Sequence, residues 1–519
     1  MRHPKDVVVL DDLSALLSRR GQHDLALTYA EAALALNARH ASSHNNRGVA
    51  LLGLNRLGEA RTSLERATAL DHRLAQAHVN LGNVLREMLL PNEAVAAYQR
   101  AVETAPDNPD LQSHLLLAAN YLDDTSGLPL QRALQTQNLR ATARSHWDRH
   151  RDPAKTMRIG MVSGDFRNHP VGRFLVGVLP ELRQHDIELF GYYNHWTEDE
   201  TTASLRPHFV AWRDVAGWPD AKLAETIESD GIDILVDLAG HTETGRMDTF
   251  ARKPAPVQVA WFGYFASTGL AAMDYIVGDG IVLPETEDGQ FVEQPYRLPH
   301  AYCCYSTPAE TPAVGPLPSS LGTAFTFGCF NSTAKLNDRV IANWGQILRQ
   351  LPEARLYLKS RQYVYPAVRE SVVRRLAASG VDAQRVQFEG SGSLQQYLAA
   401  HAQVDIALDT HPFSGGATTA DALWMGVPVL SMKGHNFISR QGESILHSAD
   451  LGDWLAIDDD DYVRRALDKA LHRDELAALR NGLRQRVANS PFGDVQGFAR
   501  DLNAAFRHMW TIWCGRQRE

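Results

Sequence analysis

From Met157 onward, short apolar runs alternate with stretches of helical spacing. Arg158–Ser163, Ile187–Tyr193, Ile232–Leu238, Val257–Phe262 and Tyr275–Gly278 have the length and composition of buried strands. Helical stretches such as Ala221–Ser229 separate them. A Pro- and Ser-rich stretch, Leu298–Leu321, reads as a connection, after which a second series opens. Its strands are Thr326–Phe330, Ala354–Leu358, Val386–Phe388, Val404–Leu408 and Val427–Ser431. Arg339–Leu351 and Ala367–Ala378 are helices between them, the latter announced by Pro366. Such alternation predicts two successive parallel α/β domains, with ligands held where the strands end at their carboxyl termini.

The first quarter follows a different rule. Gly48 and Gly82, Asn46 and Asn80, Ala60 and Ala94, Leu64 and Tyr98, and Ala67 and Ala101 are each one 34-residue period apart. Ala26 and Ala33 stand one period earlier. Small residues at that period are the signature of tetratricopeptide helix pairs, which bury their apolar faces only by stacking on one another. Two full repeats are predicted, about 41–74 and 75–108, with a poorer copy before them and a half copy from Pro109. Asn46 and Asn80 fall on the first helix of their repeats. Each either clamps the backbone of an extended peptide or satisfies a neighbouring carbonyl. The repeat fades after Tyr121, and the polar stretch Leu128–Arg151 is expected to be a connecting helix. The predicted divisions are therefore 1–120, 121–156, 157–310 and 311–519.

A chain of 519 residues with 44% hydrophobic and 22% charged positions has ample material for large cores. A net charge of −9 provides no basic footprint for nucleic acid. Cys303, Cys304, Cys329 and Cys514 show no metal-binding spacing and make a poor disulfide framework, which favours a reducing, cytoplasmic setting. No apolar run is long enough to predict a membrane span, and the N-terminus lacks the apolar core of a signal peptide.

Candidate chemistry falls just after strands. In VDIALDTHPFSGGATTADALWMG, a buried strand leads through the small residues Ser414, Gly415, Gly416, Ala417, Thr418 and Thr419 into a helix. Free N–H groups at a helix start favour a phosphate, and Asp421, one turn in, can accept from a sugar hydroxyl. An ordinary β–turn–helix has the same pattern. His169 follows the first strand and can move or steer a proton near neutral pH, or simply cap a helix. His241 follows the strand at Ile232–Leu238 with the same ambiguity. Lys335 follows the strand at Thr326–Phe330 and can neutralise a phosphate or a leaving group. The acidic run Asp458–Asp461 reads as a helix cap or solvated loop, and no Asp-x-Asp follows an apolar strand.

Repeats followed by two α/β domains carrying VSGDFRNHPVG, DILVDLAGHT, RKPAPVQVAWFGYFASTG, CFNSTAKLNDRVIANWGQIL and VDIALDTHPFSGGATTADALWMGVPVLSM resemble the O-linked N-acetylglucosamine transferase family, most closely its bacterial members. The resemblance implies an α/α superhelix joined to a GT-B fold of two Rossmann-like domains. It implies inverting transfer of N-acetylglucosamine from UDP-GlcNAc to Ser or Thr hydroxyls of proteins, with no metal or other cofactor. By the same resemblance His169 is the active-site histidine and Lys335 contacts the diphosphate. Asp421 holds the ribose and Tyr397 stands where the animal enzymes place a histidine against uracil. Ser332, Gly416 and Ala417 depart from the animal pattern of Gln, His and Thr, while Thr418 and Thr419 remain to cradle the diphosphate. His241 replaces a family tyrosine and is placed on the acceptor side, with Asp230 a candidate to assist the proton. The implied partners are a nucleotide sugar and a protein or peptide acceptor, without nucleic acid or membrane. A different nucleotide sugar, an Asn acceptor, or a non-catalytic scaffold that binds UDP-sugar are the alternatives.

Overall fold

The computed structural model describes residues 6–122, 147, 151–308 and 310–516. Most of the stretch expected to be a connecting helix therefore lies outside the described residues. The backbone groups into two compact units, Met1–Gly127 with Phe330–Ser391, and Leu128–Cys329 with Gly392–Glu519.

Helices α1 (Val7–Arg19), α2 (His23–Leu36), α3 (Ala41–Gly53), α4 (Leu57–Leu70), α5 (Ala75–Glu87), α6 (Pro91–Thr104) and α7 (Pro109–Ala119) form the repeats. The small residues lie at helix crossings, as their period requires. A methyl group on Gly48 would stand 2.5 Å from Leu64, and one on Gly82 would stand 2.7 Å from the Tyr98 ring. Overpacking of that kind costs about 1–3 kcal/mol. Ala26, Ala60, Ala67 and Ala101 have no exposed surface. The poorer first copy folds as a complete helix pair, because the turn is also periodic: Gly21, Asn55 and Leu89, each 34 residues apart, all take positive φ (72°, 60° and 63°). Leu89 adopts a conformation that costs a branched residue energy, offset by its side chain being 2% exposed. In the same unit, α5 lies against the turn Thr333–Lys335. The Gln362 amide also donates to Glu87 at 3.4 Å.

The first sheet is all parallel, in the order β3-β2-β1-β4-β5-β6-β7. Its strands are β1 (Met157–Ser163), β2 (Ile187–Tyr193), β3 (Ala211–Asp214), β4 (Ile234–Asp237), β5 (Val257–Trp261), β6 (Tyr275–Asp279) and β7 (Gln294–Leu298). The second runs β10-β9-β8-β11-β12-β13. It comprises β8 (Thr326–Cys329), β9 (Arg355–Lys359), β10 (Val386–Glu389), β11 (Ile406–Leu408), β12 (Val429–Met432) and β13 (Leu455–Ala456). All ten expected strands form. The three unexpected ones, β3, β7 and β13, are sheet edges: short, polar or carrying a proline, as an edge tolerates.

Two further features were not anticipated. The stretch expected to be a plain connection contains Tyr302, Cys303, Cys304 and Tyr305, all buried. The last helix, Val495–Gly515, returns to the first sheet. Its Phe498 stacks on Trp261 at 5.9 Å, and its Trp510 indole N–H donates to the Asp152 carbonyl at 2.9 Å. Asp458 caps the helix Asp459–Leu471 by accepting from the Asp461 N–H at 2.8 Å, so the acidic run is a helix start. None of the four cysteines is in a disulfide. Among the described residues no helix is long and apolar enough to cross a membrane.

Candidate active site

His169 stands where β1 gives way to the helix Pro170–Leu182. The loop is tight: a methyl on Gly172 would lie 2.2 Å from the Arg167 carbonyl, so glycine is required there. The histidine caps the helix, its Nδ1 accepting from the Val171 N–H at 3.4 Å. Asp165 approaches the same nitrogen at 3.6 Å. Partial burial lowers the imidazole pKa from its ordinary value; Asp165 opposes that shift and Arg167 adds to it. A neutral ring whose Nδ1 is an acceptor carries its proton on Nε2.

The small-residue loop after β11 is held from beneath by a residue that sequence reasoning passed over. The Asp409 carboxylate accepts from the N–H of Thr410 at 2.8 Å and of Gly415 at 2.7 Å, and from the Ser431 hydroxyl at 2.7 Å. Gly415 is thereby removed from the set of free donors. Ser414 donates to the Ile438 carbonyl at 3.1 Å and accepts from the Gly442 N–H at 3.1 Å. Thr419 bonds back to the Gly415 carbonyl at 3.1 Å. The helix Ala417–Trp424 then begins at Gly416 with no side-chain cap. Gly416, Ala417 and Thr418 are half-buried, whereas Thr419 and Asp421 are buried.

Asp421 sits at the centre of a sealed network. The Arg173 guanidinium grips both carboxylate oxygens at 2.6 and 3.1 Å, and the Tyr305 hydroxyl donates to one of them at 2.9 Å. Tyr397, on the helix Leu394–Ala400, faces the same carboxylate. Burial, then the neighbouring Asp421 charge, raises both tyrosine pKa values well above the ordinary range. The ring of Tyr397 packs edge-on to His401 at 5.3 Å.

His241 follows β4 as expected. It is 3% exposed, with Nε2 2.8 Å from the Thr268 carbonyl and its ring edge-on to Tyr264. The loop before it is fixed by Asp237, which accepts from the N–H groups of Ala239 and Gly240. Burial pushes the Asp237 pKa up to about 6.

Asp230 is differently placed. It caps the helix Asp220–Ser229 ahead of β4, at the amino-terminal edge of a sheet whose candidate residues follow carboxyl ends. It is engaged by the Arg213 guanidinium and the Tyr192 hydroxyl. A role beside His169 is not what this position offers. Asn46 and Asn80 meet the second of their two readings. Asn46 donates to the Asp11 carbonyl at 3.1 Å and Asn80 to the Asn45 side chain at 2.8 Å, both buried in the stack. Ser332 and Lys335 follow β8, Ser332 exposed and Lys335 half-buried on the turn Thr333–Lys335, in the unit that contains the repeats.

Residues 131–306 and 317–502 match the family described as glycosyl transferase family 41, and 41–72 and 75–108 match tetratricopeptide repeats. The chain is 33% identical over 429 residues to the rice protein named probable UDP-N-acetylglucosamine–peptide N-acetylglucosaminyltransferase SPINDLY, covering 81% of this chain and 46% of that one. It is 29% identical to the Arabidopsis thaliana protein of the same enzyme name called SEC, covering 70% of this chain and 38% of that one. It thus spans less than half the length of these curated relatives. A solved mutant of the Thermobaculum terrenum O-GlcNAc transferase superimposes with a TM-score of 0.88 at 32% identity, covering 98% of each chain. The repeats and two parallel sheets therefore make a GT-B enzyme fold with a helical array, and the chain belongs to glycosyl transferase family 41.

Proposed function

We propose that this chain transfers N-acetylglucosamine from UDP-GlcNAc to serine or threonine hydroxyls of a protein, with inversion and without a metal ion. The observation that carries the reading is the uncapped helix start at Gly416–Thr418, set on a loop braced by Asp409 and backed by the buried Asp421. The positive end of a helix that starts without a side-chain cap suits a diphosphate. The names of the relatives support the same donor and a protein acceptor.

In this mechanism the acceptor oxygen attacks the anomeric carbon from the face opposite UDP. The new C–O bond forms as the bond to the diphosphate oxygen breaks, and the hydroxyl proton passes late to the departing diphosphate or to water. Charge grows on UDP, where the positive end of the helix at Gly416 takes the place of a divalent cation. His169 orients the acceptor oxygen through its imidazole rather than by removing its proton. Tyr397 offers its ring to the base. The repeats bind extended protein segments through side chains other than the buried Asn46 and Asn80.

Calorimetric titration in EDTA against UDP, GDP, UDP-GlcNAc and UDP-glucose tests the donor, and transfer to a serine peptide tests the reaction. Selective uptake of UDP compounds with transfer of the N-acetylglucosamine is expected. Preference for GDP, or uptake that needs a divalent cation, would overturn the assignment.

A further inference from the structure

The pairing of Arg173 with Asp421 joins residues 248 positions apart. Arg173 is on the helix that His169 caps, one turn inside it, and its N–H donates to the His169 carbonyl at 2.9 Å. Asp421 is on the helix that starts at the small-residue loop. The pair is dry: the Asp421 side chain is 1% exposed and that of Arg173 is 20%. Tyr305 closes it from the side, with Phe174 edge-on at 6.4 Å, Trp424 at 5.6 Å and Phe492 stacked at 6.1 Å. Ser306 ties the same segment to the His169 helix, donating to the Phe174 carbonyl at 2.6 Å and accepting from the Gly177 N–H at 2.9 Å.

We propose that Arg173 is a positioning residue of the donor site, which fixes the Asp421 carboxylate and, through the same helical turn, sets His169 against it. The inference rests on the UDP-sugar reading above. A carboxylate has about four lone-pair directions. In this structure Arg173 takes two and Tyr305 a third, with the Tyr397 hydroxyl facing the group as well. A ribose diol can reach Asp421 only by replacing a present partner. The tyrosine hydroxyls are neutral and resemble the incoming hydroxyl, so exchange with one of them conserves charge and bond number. Exchange with Arg173 would leave a buried anion without its cation, which is far more costly. The guanidinium therefore stays while a tyrosine hydroxyl gives way. A planar fork is required for this, since an ammonium makes only one of the two parallel bonds.

The test compares wild type with Arg173→Met, Arg173→Lys, Asp421→Asn, the Met/Asn double variant and Tyr305→Phe, by calorimetric titration with UDP and by kcat and KM for transfer to a peptide. Arg173→Met should weaken UDP by about 10- to 100-fold, one charge-assisted bond's worth. It should also lower kcat, because the helix that carries His169 is no longer tied to Asp421, although the backbone bond from Arg173 to His169 is kept. Arg173→Lys should recover part of both, and serves as the readout if the methionine variant does not fold. The double variant should bind UDP no worse than the weaker single one. Tyr305→Phe should bind UDP at least as tightly as wild type, because a competing hydroxyl is gone. UDP binding and kcat unchanged in Arg173→Met, or losses that multiply in the double variant, would overturn the proposal. Absence of UDP binding in the wild type would instead remove the functional reading on which it rests.

Discussion

Asp409 gives the sharpest quantitative expectation. Alanine there leaves two backbone N–H groups and the Ser431 hydroxyl without the acceptor they have at 2.7–2.8 Å, in a place where the aspartate is 5% exposed. Each such loss costs about 1–3 kcal/mol, and the three share one site, so they do not add fully. A loss of about 3–5 kcal/mol is expected. At about 2–4 °C per kcal/mol, the melting temperature should fall by about 6–20 °C. Asparagine is more informative. Its carbonyl can still accept from Thr410 and Gly415, but without charge assistance, at about 1 kcal/mol less per bond. Its NH2 must fit beside Gly442, where even a methyl carbon would lie 2.8 Å from the present Asp409 oxygen. Asp409→Asn should therefore melt about 4–8 °C lower. It should also bind UDP at least about tenfold more weakly, since 1.4 kcal/mol of loop displacement is enough for that. Differential scanning calorimetry and UDP titration check the two numbers. An asparagine variant that melts within about 1 °C of wild type and binds UDP equally would refute the bracing role.

Two other expectations follow from the same geometry. Asp237 is raised to about 6 from an unfolded 3.8, so its share of stability is present at low pH and is lost as pH rises through 6. Between pH 5 and 7.5 that amounts to about 1.4 kcal/mol, so Asp237→Asn should gain about 3–5 °C on wild type over this interval; equal melting shifts in the two proteins would contradict it. Lys335→Ala should lower kcat by about 100- to 1,000-fold while changing the KM for peptide far less, as loss of a group that stabilises a leaving anion does. Equal turnover would remove that role.

What the sequence disclosed has a physical boundary. Strands covered on both faces are written as apolar runs, so β1, β2 and β11 stand out, whereas β3 and β7 close the edges of their sheet with polar or proline-bearing residues that look like loop. Helix stacking imprints a period, and the turn geometry at Gly21, Asn55 and Leu89 shares it, which is why the degenerate first repeat still folds. The places of His169 and Asp421, each one loop beyond a strand, were legible. Their partners were not. Arg173 and Tyr305 are 248 and 116 residues from Asp421, and no local pattern joins them. Asp409 lies in the stretch that leads into the small-residue loop, but an aspartate after a strand is commonplace until the hydrogen bonds to Gly415 and Ser431 are seen. The partners of Asp230, Arg213 and Tyr192, are 17 and 38 residues away and equally invisible to local pattern.

The unit that contains the repeats also contains Phe330–Ser391, about 200 residues further along the chain. At a synthesis rate of about 5–20 residues per second, α5 emerges about 12–50 s before the segment that will lie against it. During that interval the surface awaiting the Thr333–Lys335 turn is open to solvent, chaperones and neighbouring nascent chains. A slow codon or a stalled ribosome between these segments lengthens the vulnerable period without altering a single residue. A recombinant fragment ending at Gly127 would remain permanently in that unfinished condition, so its solubility and peptide binding describe a biosynthetic intermediate.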